Sequence, residues 1–271
     1  MECKQCHGTG ILFTPSSSRR KIDYLELCSC ILEQCKCGGE PPYYNLDTDG
    51  ILVRPCSCRP YRLKIKKIRS LFAKSNIPQK YRYRRLPEFE TDHPNDEIAI
   101  QLAAAHDSAY HVVSRVGENP DAGGKGLYLF GPPGSGKTML GCLILNEIIL
   151  QHQIEVRYTK ITRDLFNRIR STYQESSHLY GKAENVFEDL ANVPVLLIDD
   201  FGVQKDSEWE QRLLYDLIDA RYENEKTTIL TSNPEPQAYM DLFEGRIFSR
   251  FKEMMDFQPL ITEDYRDRFV I

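Results

Sequence analysis

No stretch of the 271-residue chain approaches the about 18–20 consecutive apolar residues that a membrane-spanning helix needs. The opening MECKQCHGTG also lacks the apolar run of a signal peptide. Both absences predict a cytoplasmic protein with no membrane partner. Tryptophan is scarce, at one residue. Cysteine is nearly absent after residue 58, where only Cys142 remains, and acidic residues are missing from Arg59 to Arg85. With 41% apolar and 27% charged residues, a collagenous, mucin-like or wholly disordered chain is excluded.

What is present is unevenly spread. Residues 1–90 carry 17 Lys+Arg and 9 Asp+Glu, whereas residues 91–271 carry 18 and 30. The net charge of −4 therefore hides a basic front and an acidic remainder. Eight of the nine cysteines lie in the basic front. Two modules with different tasks are expected.

The eight cysteines form a repeat. The knuckle CKQCHGTG is followed by CSC, and the knuckle CKCGG is followed by a second CSC. Glycines after each knuckle permit tight turns that aim backbone N–H groups at sulfur. Gly10–Phe13 and Ile51–Arg54 read as strands of a hairpin joining the halves. Closed tetrahedral thiolate sites predict two structural zinc ions. Pairing by repeat gives Cys3, Cys6, Cys28 and Cys30, then Cys35, Cys37, Cys56 and Cys58, and interleaved ligation fits the same spacing. A disulfide framework is the rival, suited to secreted miniproteins. His7 stands beside the first knuckle as an alternative ligand or a solvent-exposed side chain. So little apolar material accompanies the cysteines that metal binding would supply much of the folding energy. The CxxCxGxG unit resembles the zinc repeat of DnaJ-type chaperones, which carry four copies.

From Arg59 to Arg85 there are eleven basic residues. Ile65, Ile68, Leu71 and Phe72 recur at helical spacing, which predicts a basic amphipathic helix ending near Asn76 and Pro78. Its basic face suits phosphates or plain solvent.

The most specific motif is GPPGSGKT, residues 131–138, between the apolar strand Gly126–Phe130 and the helical pattern Met139–Gln151. Gly131, Pro132, Pro133, Gly134, Ser135 and Gly136 would wrap backbone N–H groups around nucleotide phosphates, with Met139 opening the helix. Lys137 would reach the β- and γ-phosphates, and Thr138 would hold Mg²⁺. The apolar strand in VPVLLIDDFG delivers Asp199 to the same magnesium. Asp200 then either polarises the attacking water or serves as a turn residue. Asn233 closes a third strand, Thr227–Asn233, where it could orient that water. Arg246 and Arg250, four apart, share one helix face. Strands alternate with helices from Gly126 to Ile261, giving an α/β fold with a parallel sheet.

Taken in order, GPPGSGKT, VLLIDDFG, TSN and GRIFSRF resemble the AAA+ ATPases of the DnaC/DnaI/IstB clade, which includes bacterial helicase loaders and transposition helpers. IPQKYRYRRLPEFE resembles the segment that begins the clade's ATPase core. The resemblance implies sheet order 5-1-4-3-2 and no C-terminal helical lid. It also implies that Asn233 is the sensor, that Arg250 is a finger reaching a neighbour's ATP, and that Arg246 supports it. RDLFNRIRSTY places Tyr173, and DFGVQKDSEWE places Ser207 and Trp209, where DnaC-type loaders contact single-stranded DNA. DnaC has no cysteine array. DnaI-type loaders have a zinc-bearing N-terminal domain that grips the replicative helicase, although eight cysteines exceed its single site.

The resulting expectation is a zinc domain at 1–58, a basic linker helix at 59–76 and an AAA+ domain at 77–271. The resemblance implies a slow, Mg²⁺-dependent ATPase that loads a hexameric replicative helicase and self-associates through its AAA+ domain. Two alternatives remain: an IstB-like transposition helper that binds duplex DNA and a transposase, and a nucleotide-gated adaptor with little hydrolysis.

Overall fold

The computed structural model describes residues 3–13, 25–46, 51–119, 123–161, 166–171, 183–202, 208–240 and 245–264. The chain divides into two compact units, Met1–Ala73 and Lys74–Ile271.

The first unit is built from two short hairpins and a helix. Strand β1 (Ile11–Phe13) pairs antiparallel with β2 (Leu25–Leu27), and β3 (Tyr44–Leu46) pairs antiparallel with β4 (Leu52–Pro55). The single joining hairpin expected from Gly10–Phe13 and Ile51–Arg54 is therefore corrected. Each repeat makes its own hairpin, because its CSC returns the chain to its own knuckle. A one-turn helix, α1 (Ser29–Leu32), starts at Cys28. The small core joins Ile31, Cys56 and Cys58, with Tyr43 and Tyr61 against it. Gly10, at φ +69, is pressed so close to Tyr61 that a Cβ there would lie 2.3 Å from the ring. Helix α2 (Arg59–Lys74) buries Ile65 and Ile68, and Asn76 breaks away with φ 58. It counts with the first unit up to Ala73.

The second unit holds a five-stranded sheet of β5 (Gly126–Phe130), β6 (Val156–Lys160), β7 (Val195–Phe201), β8 (Thr227–Ser232) and β9 (Met255–Pro259). Its order is β6-β7-β8-β5-β9 and every pairing is parallel. In the order of the five strands along the chain this reads 5-1-4-3-2 from one edge, as the resemblance implies. The strands are near-continuous apolar runs because both faces are covered. Leu197 packs toward α4 (Lys137–Glu147), whereas Leu196 and Ile198 join the core with α6 (Ala183–Asn192), α7 (Glu208–Glu223) and α8 (Arg246–Met254). Helix α4 is apolar all round and correspondingly buried, and it continues as a π-helical turn, Ile148–His152. Helix α3 (Asp96–Glu118) is capped by Asn95, whose side chain accepts from the Glu97 and Ile98 N–H groups. The fully buried Arg221 of α7 donates to the carbonyls of Leu190 (2.7 Å), Val193 (2.9 Å) and Thr227 (2.6 Å). It thereby ties α7 to the start of β8 and the end of α6.

Among the described residues, no helix is long and apolar enough to cross a membrane.

Candidate functional site

The phosphate loop leaves β5 and enters α4, with Gly136 at φ 90 as the helix cap. Gly131 must stay bare, since a Cβ there would meet the Leu260 carbonyl oxygen at 2.1 Å. The Lys137 ammonium bridges the loop, donating to the Gly131 carbonyl (2.9 Å), the Pro132 carbonyl (2.7 Å) and Ser135 Oγ (3.3 Å). It thus occupies the concave side where phosphate oxygens are the natural acceptors.

Asp199, 2% exposed, is the electrostatic centre of the site. Its Oδ1 accepts from Thr138 Oγ1 (2.7 Å) and Thr231 Oγ1 (2.6 Å), and its Oδ2 accepts from the Tyr158 hydroxyl (2.7 Å). Burial, then the Asp199 charge, push the Tyr158 hydroxyl above its ordinary range, so it stays a donor. The strand register explains how two adjacent aspartates diverge. Ile198 pairs with Leu230 and Phe201 pairs with Ser232, so Asp199 and Asp200 together oppose Thr231. This is a β-bulge, which re-aims side chains at the end of a strand. Asp200 takes φ 59, donates its N–H to Thr231 Oγ1 (3.1 Å), and forms an ion pair with Lys160 at the end of β6.

Thr138 and Asp199 suit magnesium. An octahedral Mg²⁺ with bonds of 2.0–2.1 Å sets neighbouring ligand oxygens about 2.9 Å apart, close to the spacing of this pair. Both are hard oxygen donors.

Beside the loop, Phe89, Leu102, Gly136 and Met139 line a mostly apolar cavity, with Glu90 at its edge. The segment that supplies Phe89 is clamped to α4. Arg85 meets Glu147 through two bonds, Nε–Oε1 (2.5 Å) and Nη2–Oε2 (2.9 Å), while Leu86 N–H donates to the same carboxylate (3.1 Å). The Asn146 amide donates to the carbonyls of Tyr81 (2.7 Å) and Arg84 (2.8 Å).

In the first unit the thiols gather in two groups, Cys3/Cys6/Cys28/Cys30 and Cys35/Cys37/Cys56/Cys58, each with its sulfurs within 4.8 Å of one another. The groups follow the repeat and are not interleaved. Sulfur–sulfur separations include 3.6 Å (Cys3–Cys28), 3.7 Å (Cys6–Cys30), 3.5 Å (Cys37–Cys58) and 4.0 Å (Cys35–Cys56). A zinc tetrahedron with 2.3 Å bonds has edges of about 3.8 Å, so the groups are the right size. None of these cysteines is in a disulfide. Backbone N–H groups of Cys6 and Gln5 hold the Cys3 thiol down at about 6, and those of Cys58 and Lys36 hold Cys56 at about 5. Neighbouring thiols, Cys28 first, push Cys30 up to about 12, and burial pushes Cys58 up to about 12. Full ionisation of each group calls for a cation. His7 is exposed and lies outside both groups.

On α8, Arg246 is exposed and Arg250 is turned onto α7. Its guanidinium pairs with Asp219 and sits over the rings of Tyr215 (5.5 Å) and Tyr222 (5.2 Å).

Residues 123–249 match the family described as IstB-like ATP binding protein. Those residues are similar to that family. The match lies wholly within the second unit. The chain is 28% identical over 122 residues to the replicative helicase loader DnaC of Escherichia coli (strain K12), covering 45% of this chain and 48% of that loader. It is 23% identical over 190 residues to the replicative helicase loader DnaC of Buchnera aphidicola subsp. Schizaphis graminum, covering 70% and 71%. The chain thus spans about half the length of most of the curated relatives it matches. Among solved structures, the crystal structure of the DnaC helicase loader superposes with TM-score 0.52 at 27% identity, covering 69% of this chain and all of that one. The crystal structure of DnaI gives TM-score 0.55 at 22% identity, covering 69% and 96%, a likeness of fold. The chain therefore resembles DnaC/DnaI-type proteins and has an AAA+ fold.

Within the second unit, the structure brings Lys137, Thr138, Asp199 and Asp200 to one end of the sheet. Asn233 follows β8 and is exposed, and among the described residues no hydrogen bond joins it to either aspartate. Thr231 is the β8 side chain that touches both. Trp209, 38% exposed, packs against Phe166 (6.0 Å) with the Arg170 guanidinium over its ring (5.5 Å). Tyr173 and Ser207 lie outside the described residues. The sequence reading missed Thr231, Tyr158, Lys160 and the Phe89 cavity. A threonine or tyrosine on a buried strand reads as ordinary β-propensity, and only the sheet register reveals its acidic partner.

Proposed function

We propose that this chain is an ATP-dependent loader of a hexameric replicative DNA helicase, working in the cytoplasm. The hydroxyl-laced Asp199 facing Thr138 at the phosphate loop, in a fold like that of DnaC, carries the reading. Residues 77–271 act as the ATPase, residues 1–58 as the helicase-gripping module and residues 59–76 as the basic connection. In the ATPase, the loop backbone from Gly131 to Gly136 and the Lys137 ammonium neutralise the phosphates, and Met139 with Phe89 flanks the base. Thr138 and Asp199 would hold Mg²⁺, which when bound would supply positive charge against the phosphates. Thr231 and Tyr158 fix the rotamer of Asp199, so its oxygens need no reorganisation during the reaction.

Asp200 orients the attacking water, helped by Asn233 once nucleotide is bound. Its ion pair with Lys160 supports slow turnover by an isolated protomer, because the carboxylate must first leave the ammonium. Arg250 from an adjacent protomer, seconded by Arg246, stabilises the transition state after leaving Asp219. Single-stranded DNA runs past Tyr173, Ser207 and Trp209, where an exposed ring offers a stacking surface. The two four-cysteine groups each hold a structural zinc, whose bonds supplement the small core of the first unit.

The family description favours a second reading, an IstB-like transposition helper. Light scattering on mixtures with the replicative helicase of the same organism separates the two. A defined complex in the presence of ATP and Mg²⁺ supports the loader. No complex in any nucleotide state, together with tight binding to duplex DNA and a transposase, supports the helper.

A further inference from the structure

We propose that the solvent face of α2 is a phosphate-binding surface for nucleic acid, distinct from any DNA contact of the second unit. Helix α2 turns Ile65 and Ile68 inward. Its opposite face carries Arg59, Lys66 and Lys67, with Lys64 and Arg69 at the margins. Lys66 and Lys67 are exposed, and no acidic residue occurs anywhere in the helix. Among the described residues, no carboxylate forms an ion pair with Arg59, Lys64, Lys66 or Lys67.

A solvated helix face normally interleaves the two signs, as α7 does with Glu208, Arg212 and Asp216. Here like charges recur at i,i+3 and i,i+4: Arg59/Arg62, Arg62/Lys66, Lys64/Lys67 and Lys66/Arg69. Such pairs repel and weaken the free helix, and a polyanion laid along the face offsets that repulsion. Arg59 is also pre-positioned. Its guanidinium lies 5.1 Å over the Tyr44 ring, and its buried Nε has no hydrogen-bond acceptor among the described residues.

The chemistry distinguishes a polyphosphate from an acidic protein. Protein interfaces centre on apolar or aromatic anchors and are depleted of lysine. This face offers lysines and a single exposed leucine, Leu63. Phosphate contacts take lysine and arginine without regard to sequence. From Arg59 to Arg69 the helix runs about 15 Å, long enough for several successive phosphates.

The test uses the full-length protein with a fluorescent oligo-dT and a duplex of equal length. Affinity is read by anisotropy across a salt series, without nucleotide and with ATP and Mg²⁺. The triple variant Lys64→Ala/Lys66→Ala/Lys67→Ala is compared with Lys64→Arg/Lys66→Arg/Lys67→Arg. We expect the alanine variant to bind more weakly and its log K against log salt to flatten by about 2 for the single strand, or nearly 3 for the duplex. The arginine variant keeps the original slope. An unchanged slope in the alanine variant overturns the proposal. So does loss of helicase capture by that variant with DNA binding intact, which would assign the face to protein docking. Because DNA binding is read apart from helicase capture, failure here leaves the loader reading standing.

Discussion

Removing the Arg85 guanidinium should cost the second unit far more than its place in a loop suggests. Glu147 is 1% exposed and receives four hydrogen bonds: two from Arg85, one from Leu86 N–H and one from the Gln151 amide at 2.7 Å. Arg85→Ala deletes both charged donors and leaves a buried carboxylate with two neutral ones. Breaking a buried pair on one side typically costs about 3–5 kcal/mol. Arg85 is about one-third exposed, and the surviving donors and entering water reduce this to about 2–4 kcal/mol. For a domain near 200 residues that lowers Tm by roughly 5–12 °C. Glu147→Gln keeps an acceptor for Leu86 and lets Arg85 rehydrate, so about 1–2 kcal/mol is expected. In the double variant no charge is stranded, and its loss should be smaller than that of Arg85→Ala alone. The clamp also sets the wall of the Phe89 cavity, so Arg85→Ala should weaken binding of a fluorescent ATP analogue by about tenfold, or ~1.4 kcal/mol. Urea denaturation and analogue titration measure both effects. An Arg85→Ala variant no less stable than Glu147→Gln, or a double variant as unstable as the two losses added, would refute the reasoning.

Thr138→Ala should leave metal-free nucleotide binding nearly unchanged and lower Mg²⁺-dependent turnover by about a hundredfold, measured by phosphate release with and without Mg²⁺. Lys160→Ala frees Asp200 and should raise basal turnover several-fold, whereas a fall would show that the ammonium assists the reaction instead. Arg250→Ala should retain ATP affinity but lose about a thousandfold in turnover of the assembled protein, and Asp219→Asn, which releases Arg250, should not. Stripping metal with a strong chelator should unfold the first unit, seen as rapid proteolysis before residue 74, and leave the melting of the second unit in place. Between about pH 5 and 9 the pH dependence has one sign. Backbone N–H groups hold Cys3 and Cys56 down at about 6 and about 5, below the usual 9.0, so their thiolates stabilise the fold toward about pH 9 and that stabilisation is lost as pH falls through the lower values. Cys30 and Cys58, pushed up to about 12, oppose it above about pH 9. Metal release measured with a colorimetric dye should accordingly rise below about pH 6.

The phosphate loop and the acidic strand were legible because each is written in local sequence: glycines at fixed offsets and a five-residue apolar run suffice. The alternation of strand and helix gave a parallel sheet, whereas its order was implied only by the family resemblance. The bulge at Asp199–Asp200 was not legible, since it depends on how β7 and β8, separated along the chain by a whole helix, align with one another. Thr231 and Tyr158 gain their meaning only from that alignment. Arg221 reads as one more charge on a polar helix, yet it is fully buried, and burial pulls its pKa down to about 9. In the cysteine unit the spacing named the eight thiols but left their grouping open. The grouping follows from two separate hairpins, which close each repeat on itself.

The central claim is that this chain delivers a replicative helicase to DNA under nucleotide control. The most direct measurement is loading of the same organism's hexameric helicase onto circular single-stranded DNA coated with single-strand-binding protein. Helicase retained on the circles would be counted after gel filtration. The account predicts retention that requires this protein, ATP and an intact Lys137, and that falls when Cys35 is changed to serine. Equal retention without the protein, or retention unaffected by Lys137→Ala, would contradict it.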